Sequence, residues 1–193
     1  SSRAYFDTEE QPVISTEFHC AEILSKYDDY GNEIETEYLD LDGSVMNRDD
    51  FGFAKVCREY DAKTCKLLKE SYFDADGMPT ARKEHGYASY VQCYDERGNC
   101  IETRYYDADG ELTFREDLGY AIVRSEYNEH DELTAQYFHG KNEELVIGTE
   151  YHCAGFLYTY DNKGLWTQTR YLGIDGELAV RSDYGCAYVC AQY

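Results

Sequence analysis

The stretch Tyr94-Asp95-Glu96-Arg97-Gly98-Asn99-Cys100-Ile101-Glu102-Thr103-Arg104-Tyr105-Tyr106-Asp107-Ala108-Asp109-Gly110 decides the fold. Asp95-Glu96-Arg97-Gly98 and Asp107-Ala108-Asp109-Gly110 each supply a Gly where a tight reversal needs positive φ. Between them Ile101, Thr103 and Tyr105 alternate with Cys100, Glu102, Arg104 and Tyr106. Successive side chains of an extended chain point to opposite faces, so this is a strand with one apolar and one mostly charged face. The run Glu33 to Leu39 repeats it, with Ile34, Thr36 and Tyr38 opposite Glu33, Glu35, Glu37 and Leu39.

The same strings recur along the chain. Tyr27-Asp28-Asp29-Tyr30-Gly31-Asn32 and Tyr160-Asp161-Asn162-Lys163-Gly164 match the first turn, and Phe73-Asp74-Ala75-Asp76-Gly77 and Leu39-Asp40-Leu41-Asp42-Gly43 match the second. Aligned on these anchors, the chain has a period of 32 to 34 residues. Ala21, Ala54, Ala88, Ala121, Ala154 and Ala187 fill one slot, and Tyr27, Tyr60, Tyr94, Tyr127, Tyr160 and Tyr193 fill another. The second-strand Tyr slot is read as Tyr38, Tyr72, Tyr105, Tyr137 and Tyr171. Pro12 and Pro79 share a slot with Val45, Leu112 and Leu178, which marks an edge or non-ladder position.

A lone hairpin is marginal in water, so each unit must bury its face against the next. The expected fold is all-β: tandem hairpins stacked as a solenoid or hairpin superhelix, with a closed barrel or propeller as the alternative. One array spans 1–193, with units anchored near 20–38, 53–72, 87–105, 120–137 and 153–171 and a partial unit at 186–193. It begins and ends inside a repeat, as expected of a fragment of a longer protein.

The 193 residues include 21 Tyr against one Trp, and 39 acids against 18 Lys and Arg give a net charge of -21. Such an acidic surface repels phosphates, which excludes nucleic acid and leaves glycans, proteins or cations as partners. No apolar run approaches the roughly 18 residues of a membrane span, so membrane insertion is not expected. The opening Ser1-Ser2-Arg3-Ala4 has no apolar segment of a leader behind it. A leader or anchor belonging to the longer protein is compatible with this.

The Tyr-Asp-x-x-Gly-Asn strings at Tyr27 and Tyr94 resemble the YD (RHS) repeats of bacterial proteins. Tyr105-Tyr106-Asp107-Ala108-Asp109-Gly110 is similar to motifs of glucan-binding, choline-binding and clostridial toxin repeats. These families are exported or extracellular, and several bind glycans or choline. The resemblance therefore implies an extracellular or cell-surface setting. The units are longer than those of the named families, and Trp166 is the one Trp present.

Candidate sites follow from the slots. Cys20, Cys153 and Cys186 share a position with Phe53, Tyr87 and Tyr120, so they read as small apolar core residues. Cys57, Cys65 and Cys190 complete the eight with Cys93 and Cys100, and only this last pair flanks a turn as a bridge would require. Zinc lacks paired Cys-x2-Cys strings, and the adjacent His19-Cys20 and His152-Cys153 side chains diverge along a strand. Calcium is the better metal candidate, on Asp40, Asp42, Asp74, Asp76, Asp107 and Asp109, although Asp-Gly strings are also ordinary turn chemistry. No nucleophile elbow or phosphate loop is present, so the array is read as non-catalytic. Phe73, Tyr106, Phe138 and Trp166 are the candidate ligand platform, with inter-repeat packing as the competing role.

An acid slot holds Glu17, Asp50, Glu84, Asp117, Glu150 and Asp183. Arg48, Arg82, Arg115 and Arg181 precede four of these acids by two residues, and Gly52, Gly86, Gly119 and Gly185 follow. The other two units carry Ser15 and Gly148 before the acid, and His19 and His152 after it. The exchange suggests a structural acceptor served by Arg or His. The functional expectation is a tyrosine-rich, acidic binding, adhesion or architectural module of a larger bacterial protein, recognising glycan or protein, with no bound cofactor other than the calcium named above. A cytoplasmic interaction scaffold is the alternative, and a repeat-borne enzyme a minor one.

Overall fold

The computed structural model describes all 193 residues. It contains twelve β-strands and no helix: β1 (Ser2–Ala4), β2 (Glu22–Tyr27), β3 (Glu33–Leu39), β4 (Lys55–Tyr60), β5 (Leu67–Phe73), β6 (Ser89–Tyr94), β7 (Cys100–Tyr106), β8 (Ile122–Tyr127), β9 (Leu133–His139), β10 (Gly155–Tyr160), β11 (Trp166–Leu172) and β12 (Tyr188–Cys190). Strand order follows chain order, giving an open sheet of successive hairpins with β1 and β12 as its edges. No helix is long and apolar enough to cross a membrane. The chain divides into two compact units, Ser1–Val91 with Tyr106–Glu111, and Gln92–Tyr105 with Leu112–Tyr193.

The turn chemistry explains the hairpins. After β2, Asp28 Oδ1 accepts from the N–H of Tyr30 and of Asn32, both at 2.9 Å, and Gly31 sits at φ 87°. A carboxylate that folds back on its own backbone satisfies donors a tight turn would otherwise leave bare. A bulge before Tyr27 shifts the register from Lys26↔Glu35 to Tyr27↔Glu33, and the same bulge recurs before Tyr60, Tyr127 and Tyr160. The turn after β4 is one residue longer, with Cys65 at φ 54° bonded by its N–H to Asp61 O. That insertion is what lengthens one unit from 33 to 34 residues.

One slot needs correcting. Tyr38, Tyr72, Tyr105 and Tyr171 donate their N–H to Ala54, Ala88, Ala121 and Ala187, and the residue doing this toward Ala154 is Phe138, at 2.9 Å. Phe138 is fully buried, so the slot belongs to it and not to Tyr137, and the period is 33 or 34 throughout. With a side-chain period of two, the shift by one residue moves Tyr137 to the opposite face. The slot that follows therefore holds Leu39, Phe73, Tyr106, His139 and Leu172.

The invariant Ala is the junction of neighbouring hairpins. Ala54 accepts from Tyr38 of the preceding hairpin and donates to Phe73 of its own, at 3.0 and 2.8 Å. It is fully buried, and a larger side chain there would have to displace neighbouring rings. In the first unit the core is a ladder of rings, Tyr38, Phe53, Tyr72 and Tyr87, with successive centroids 6.0, 4.8 and 6.0 Å apart. In the second it runs Tyr105, Tyr120 and Phe138 at 6.2 and 4.8 Å, then Phe156 and Tyr171 at 5.7 and 5.9 Å. Phe156 fills in where Cys153 has no ring to offer.

The proline slot also has its reason. Phe6↔Pro12 and Phe73↔Pro79 are isolated bridges whose bonds come from the flanking residues, Val13 N–H to Tyr5 O and Thr80 N–H to Tyr72 O. The proline nitrogen is never asked to donate.

Candidate functional site

The recurrent acid lies in a short turn that joins one hairpin to the next. Arg48 N–H bonds Phe53 O at 2.9 Å and Gly52 N–H bonds Arg48 O at 2.7 Å, closing the turn. Gly52, Gly86, Gly119 and Gly185 all have positive φ, and so do His19 and His152, each at 51°. The Gly/His slot is therefore a left-handed backbone position, tolerated by Gly and less readily by His. It is not a charge exchange, which corrects the sequence-based expectation that His replaces Arg.

Arg48 grips Asp50 with two bonds, Nε to Oδ1 at 3.0 Å and Nη2 to Oδ2 at 2.6 Å. Its guanidinium carbon lies 4.3 Å from the Phe51 ring centroid and 4.8 Å from that of Tyr38. Hydrogen bonding from Arg48 holds the Asp50 carboxyl below the usual range. In the second unit Arg115 makes the same fork to Asp117, at 2.9 and 2.9 Å, and bonds the Tyr105 hydroxyl at 3.3 Å. Arg181 pairs with Asp183 and lies over Tyr184 and Tyr171 at 4.2 and 5.0 Å. Arg82 differs: it lies over Phe51 and Tyr72 with its Nε buried and without a partner, the Tyr72 hydroxyl donates to Glu70, and Glu84 is exposed. The three Asp residues of the slot are gripped by Arg, and Glu17, Glu84 and Glu150 are exposed. The shorter side chain suits a fork two residues away.

The first invariant Tyr slot also has a bonding role. The hydroxyls of Tyr60, Tyr127 and Tyr160 donate to the carbonyls of Glu33, Cys100 and Leu133, at 3.2, 3.2 and 2.8 Å. Each acceptor opens the second strand of the preceding hairpin. Sequence pattern marked the slot but not its partner, because the bond spans 27 residues.

Phe138 is a core residue and not a platform. Trp166 is half-buried and donates Nε1–H to Thr169 at 2.8 Å. Phe73 and Tyr106 are half-buried, and Phe73 lines a cleft of about 260 Å³ with Lys69, Pro79, Asp107, Ala108 and Gly110. Asp74 Oδ1 accepts from Asp76 and Met78 N–H, and Asp107 Oδ1 from Asp109 and Glu111 N–H. Asp40 and Asp42 accept from Leu41 and Ser44 in the same manner, and Asp76 and Asp109 are exposed. No three His, Cys, Asp or Glu side chains converge on any of these turns. All eight cysteines are free thiols. Cys93 is exposed, and Cys100 Sγ lies 3.6 Å from Thr103 Oγ1, so the expected pair is not bridged. Cys20 and Cys153 are buried, which raises their pKa and suppresses the thiolate.

No protein-family model matches the sequence, and no curated protein matches it. Among solved structures, a chain in the crystal structure of TcdB2-TccC3 is similar over 91% of this chain, with a TM-score of 0.53 and 16% identity. A chain in the crystal structure of TcdB2-TccC3-Cdc42 is similar over 78%, with a TM-score of 0.41 and 15% identity. This chain spans 8% of the length of the former and 9% of the latter. At such identity the first likeness is one of fold: antiparallel hairpins in succession, as in a small part of a much longer chain.

Proposed function

We propose that the chain is a non-catalytic architectural repeat segment of a larger bacterial protein. The observation that carries this reading is the set of Tyr60, Tyr127 and Tyr160 hydroxyl bonds, through which a recurring side chain ties three of the hairpins to the one before. The Ala slot and the Arg turns serve the same joints, so the repeated chemistry faces inward. Duplicating residues 88–120 in place should raise the urea midpoint and m-value together, since a repeat array gains stability by nearest-neighbour contacts. An added unit that leaves both unchanged would count against the reading.

Recognition of a glycan or protein is a second reading, favoured by the half-buried Phe73 in its cleft beside the Asp107 turn. An extracellular or surface adhesion role belongs with it. Titrating a panel of neutral oligosaccharides while following Tyr and Trp fluorescence separates the two. Saturable binding tighter than about 1 mM that is lost in Phe73→Ala would establish recognition and displace the purely architectural role.

A further inference from the structure

One seam of the sheet is built unlike the others. Ser71 of β5 lies directly opposite Ser89 of β6. The same facing positions elsewhere hold Glu37 against Lys55, ion-paired at 3.3 Å, Arg104 against Ile122, and Tyr137 against Gly155. Each of those pairs lays at least one long side chain over its seam, whereas the serine pair lays none. The space left is the cleft of about 260 Å³ beside Phe73.

The two ends of this cleft differ in chemistry. Lys69, Ser71 and Phe73 alternate along β5, so they share the face on which it opens. Neither serine hydroxyl has a hydrogen-bond partner within the chain. Lys69 Nζ has only Glu59 Oε1, 3.9 Å away, and both side chains are exposed, which makes a pair of little strength. The Lys69 slot holds Glu35, Glu102, Ala135 and Gln168 in sister strands, so this seam alone among them carries a cation there. Beyond the serines the cleft is closed by Phe73, Pro79 and the Asp107 turn. Asp107 Oδ1 is held in that turn by the N–H groups of Asp109 and Glu111, at 3.1 and 2.9 Å.

We propose that the cleft binds a small aromatic monocarboxylate, its carboxylate on Lys69 and the two serine hydroxyls and its ring between Phe73 and Pro79. An ammonium and two hydroxyls free to donate match an acceptor that carries negative charge. Asp107 at the far end repels a second charge, which selects a monoanion and sets its direction. The net charge of -21 is spread over the whole surface and is screened beyond about 8 Å at physiological salt, so the local ammonium decides the sign of the ligand. The apolar wall rewards a ring that a bare anion lacks. This ligand class rests on the recognition reading of the same cleft.

Titration of the isotope-labelled chain, followed by amide nuclear magnetic resonance, tests it with three probes at physiological salt. Phenylacetate should shift the Ser71, Ser89 and Ala108 signals saturably, with a Kd below about 10 mM. Phenylacetamide, which has the ring without the charge, should bind at least about fivefold more weakly, and acetate should give no saturable shift. Lys69→Met keeps the side-chain stem and should bring phenylacetate down to the affinity of the amide while leaving the amide unchanged. Ser71→Val with Ser89→Val, β-favoured replacements that fill the cleft, should abolish both. Equal affinity for phenylacetate and phenylacetamide in the parent chain overturns the proposal without recourse to any variant. Full phenylacetate affinity in Lys69→Met overturns it as well, as does the absence of saturable binding. A neutral oligosaccharide that shifts these same signals where phenylacetate does not would overturn the carboxylate and leave the recognition reading standing; silence from both would remove the two together.

Discussion

The turn from Arg48 to Gly52 and the turn from Gly148 to His152 have one backbone and two side-chain solutions. Both close with the same bond, Gly52 N–H to Arg48 O at 2.7 Å and His152 N–H to Gly148 O at 2.8 Å. In the first, the Arg48 guanidinium lies against the Tyr38 ring and is held by Asp50. In the second, the Tyr151 ring lies flat on Phe138, 4.8 Å away at 10°. A Cβ at Gly148 would approach Tyr151 Cδ2 to 3.1 Å, so the missing side chain makes room for that ring. The core ring ten residues earlier changes in step. It is Tyr before Arg48, Arg82, Arg115 and Arg181, and Phe before Gly148. Arg115 bonds the Tyr105 hydroxyl, and at the Gly148 turn Arg and hydroxyl are both absent. The Ser15 turn shows the cost of breaking this rule, since the Tyr5 hydroxyl there is buried without a partner. Turn and ring thus form one module, filled either by a cation or by a second ring.

Removing the cation should have the largest effect. Arg48→Ala should cost about 2–4 kcal/mol in urea unfolding, because it strips two ring contacts and leaves Asp50 without its fork. Gly148→Ala, at the same slot, should cost only about 1 kcal/mol as Tyr151 shifts. Equal losses at the two sites would mean that the turns do not differ as described.

Moving the hydroxyl comes next in size. Phe138→Tyr places a hydroxyl where no Arg awaits it and should cost about 1–3 kcal/mol, whereas Tyr105→Phe, which loses one bond from Arg115, should cost about 1 kcal/mol. If the added hydroxyl proves harmless, the covariation of ring and turn has another origin.

The shared backbone predicts a small gain. His152→Gly should stabilise by about 0.5–1 kcal/mol by relieving a left-handed residue that carries a side chain. A loss would show that the imidazole has a role of its own.

Acid titration separates Asp from Glu. The Asp50 carboxyl is depressed in the folded state, so its contribution is present above the ordinary carboxylate pKa, about 3.9, and is lost as pH falls through the lower folded value. Asp50→Asn should therefore be less stable than the parent at neutral pH and converge with it in strong acid. Glu150→Gln, at an exposed side chain, should stay within about 0.5 kcal/mol of the parent at neutral pH.

Much of this was legible in the residues. Gly31, Gly98 and Gly164 marked the hairpin turns, the alternation in Glu33–Leu39 gave the faces, and six Ala and six Tyr gave the period. Three features were not legible. Tyr137 and Phe138 stand side by side, and identity favoured the wrong one; counting five residues from the strand start would have chosen Phe138, as it chooses Tyr38 from Glu33. The alternation of Gly with His looked electrostatic because composition carries no φ. The Tyr hydroxyl bonds join residues 27 apart, and no local pattern encodes such a contact. The candidate sites suffered most, since an Asp-Gly turn and half of a calcium loop are the same string.

Each repeat is a structural unit with a fixed register. Excising residues 88–120 joins Tyr87 to Ala121 and keeps every slot in phase, whereas excising 89–120 leaves one residue too many and turns a strand over. Urea unfolding of the two deletions is the direct test. A cooperative transition is expected for the first, with a midpoint below that of the parent, and loss of cooperative unfolding for the second. Two deletions of equal stability, or a first deletion that fails to fold, would contradict it.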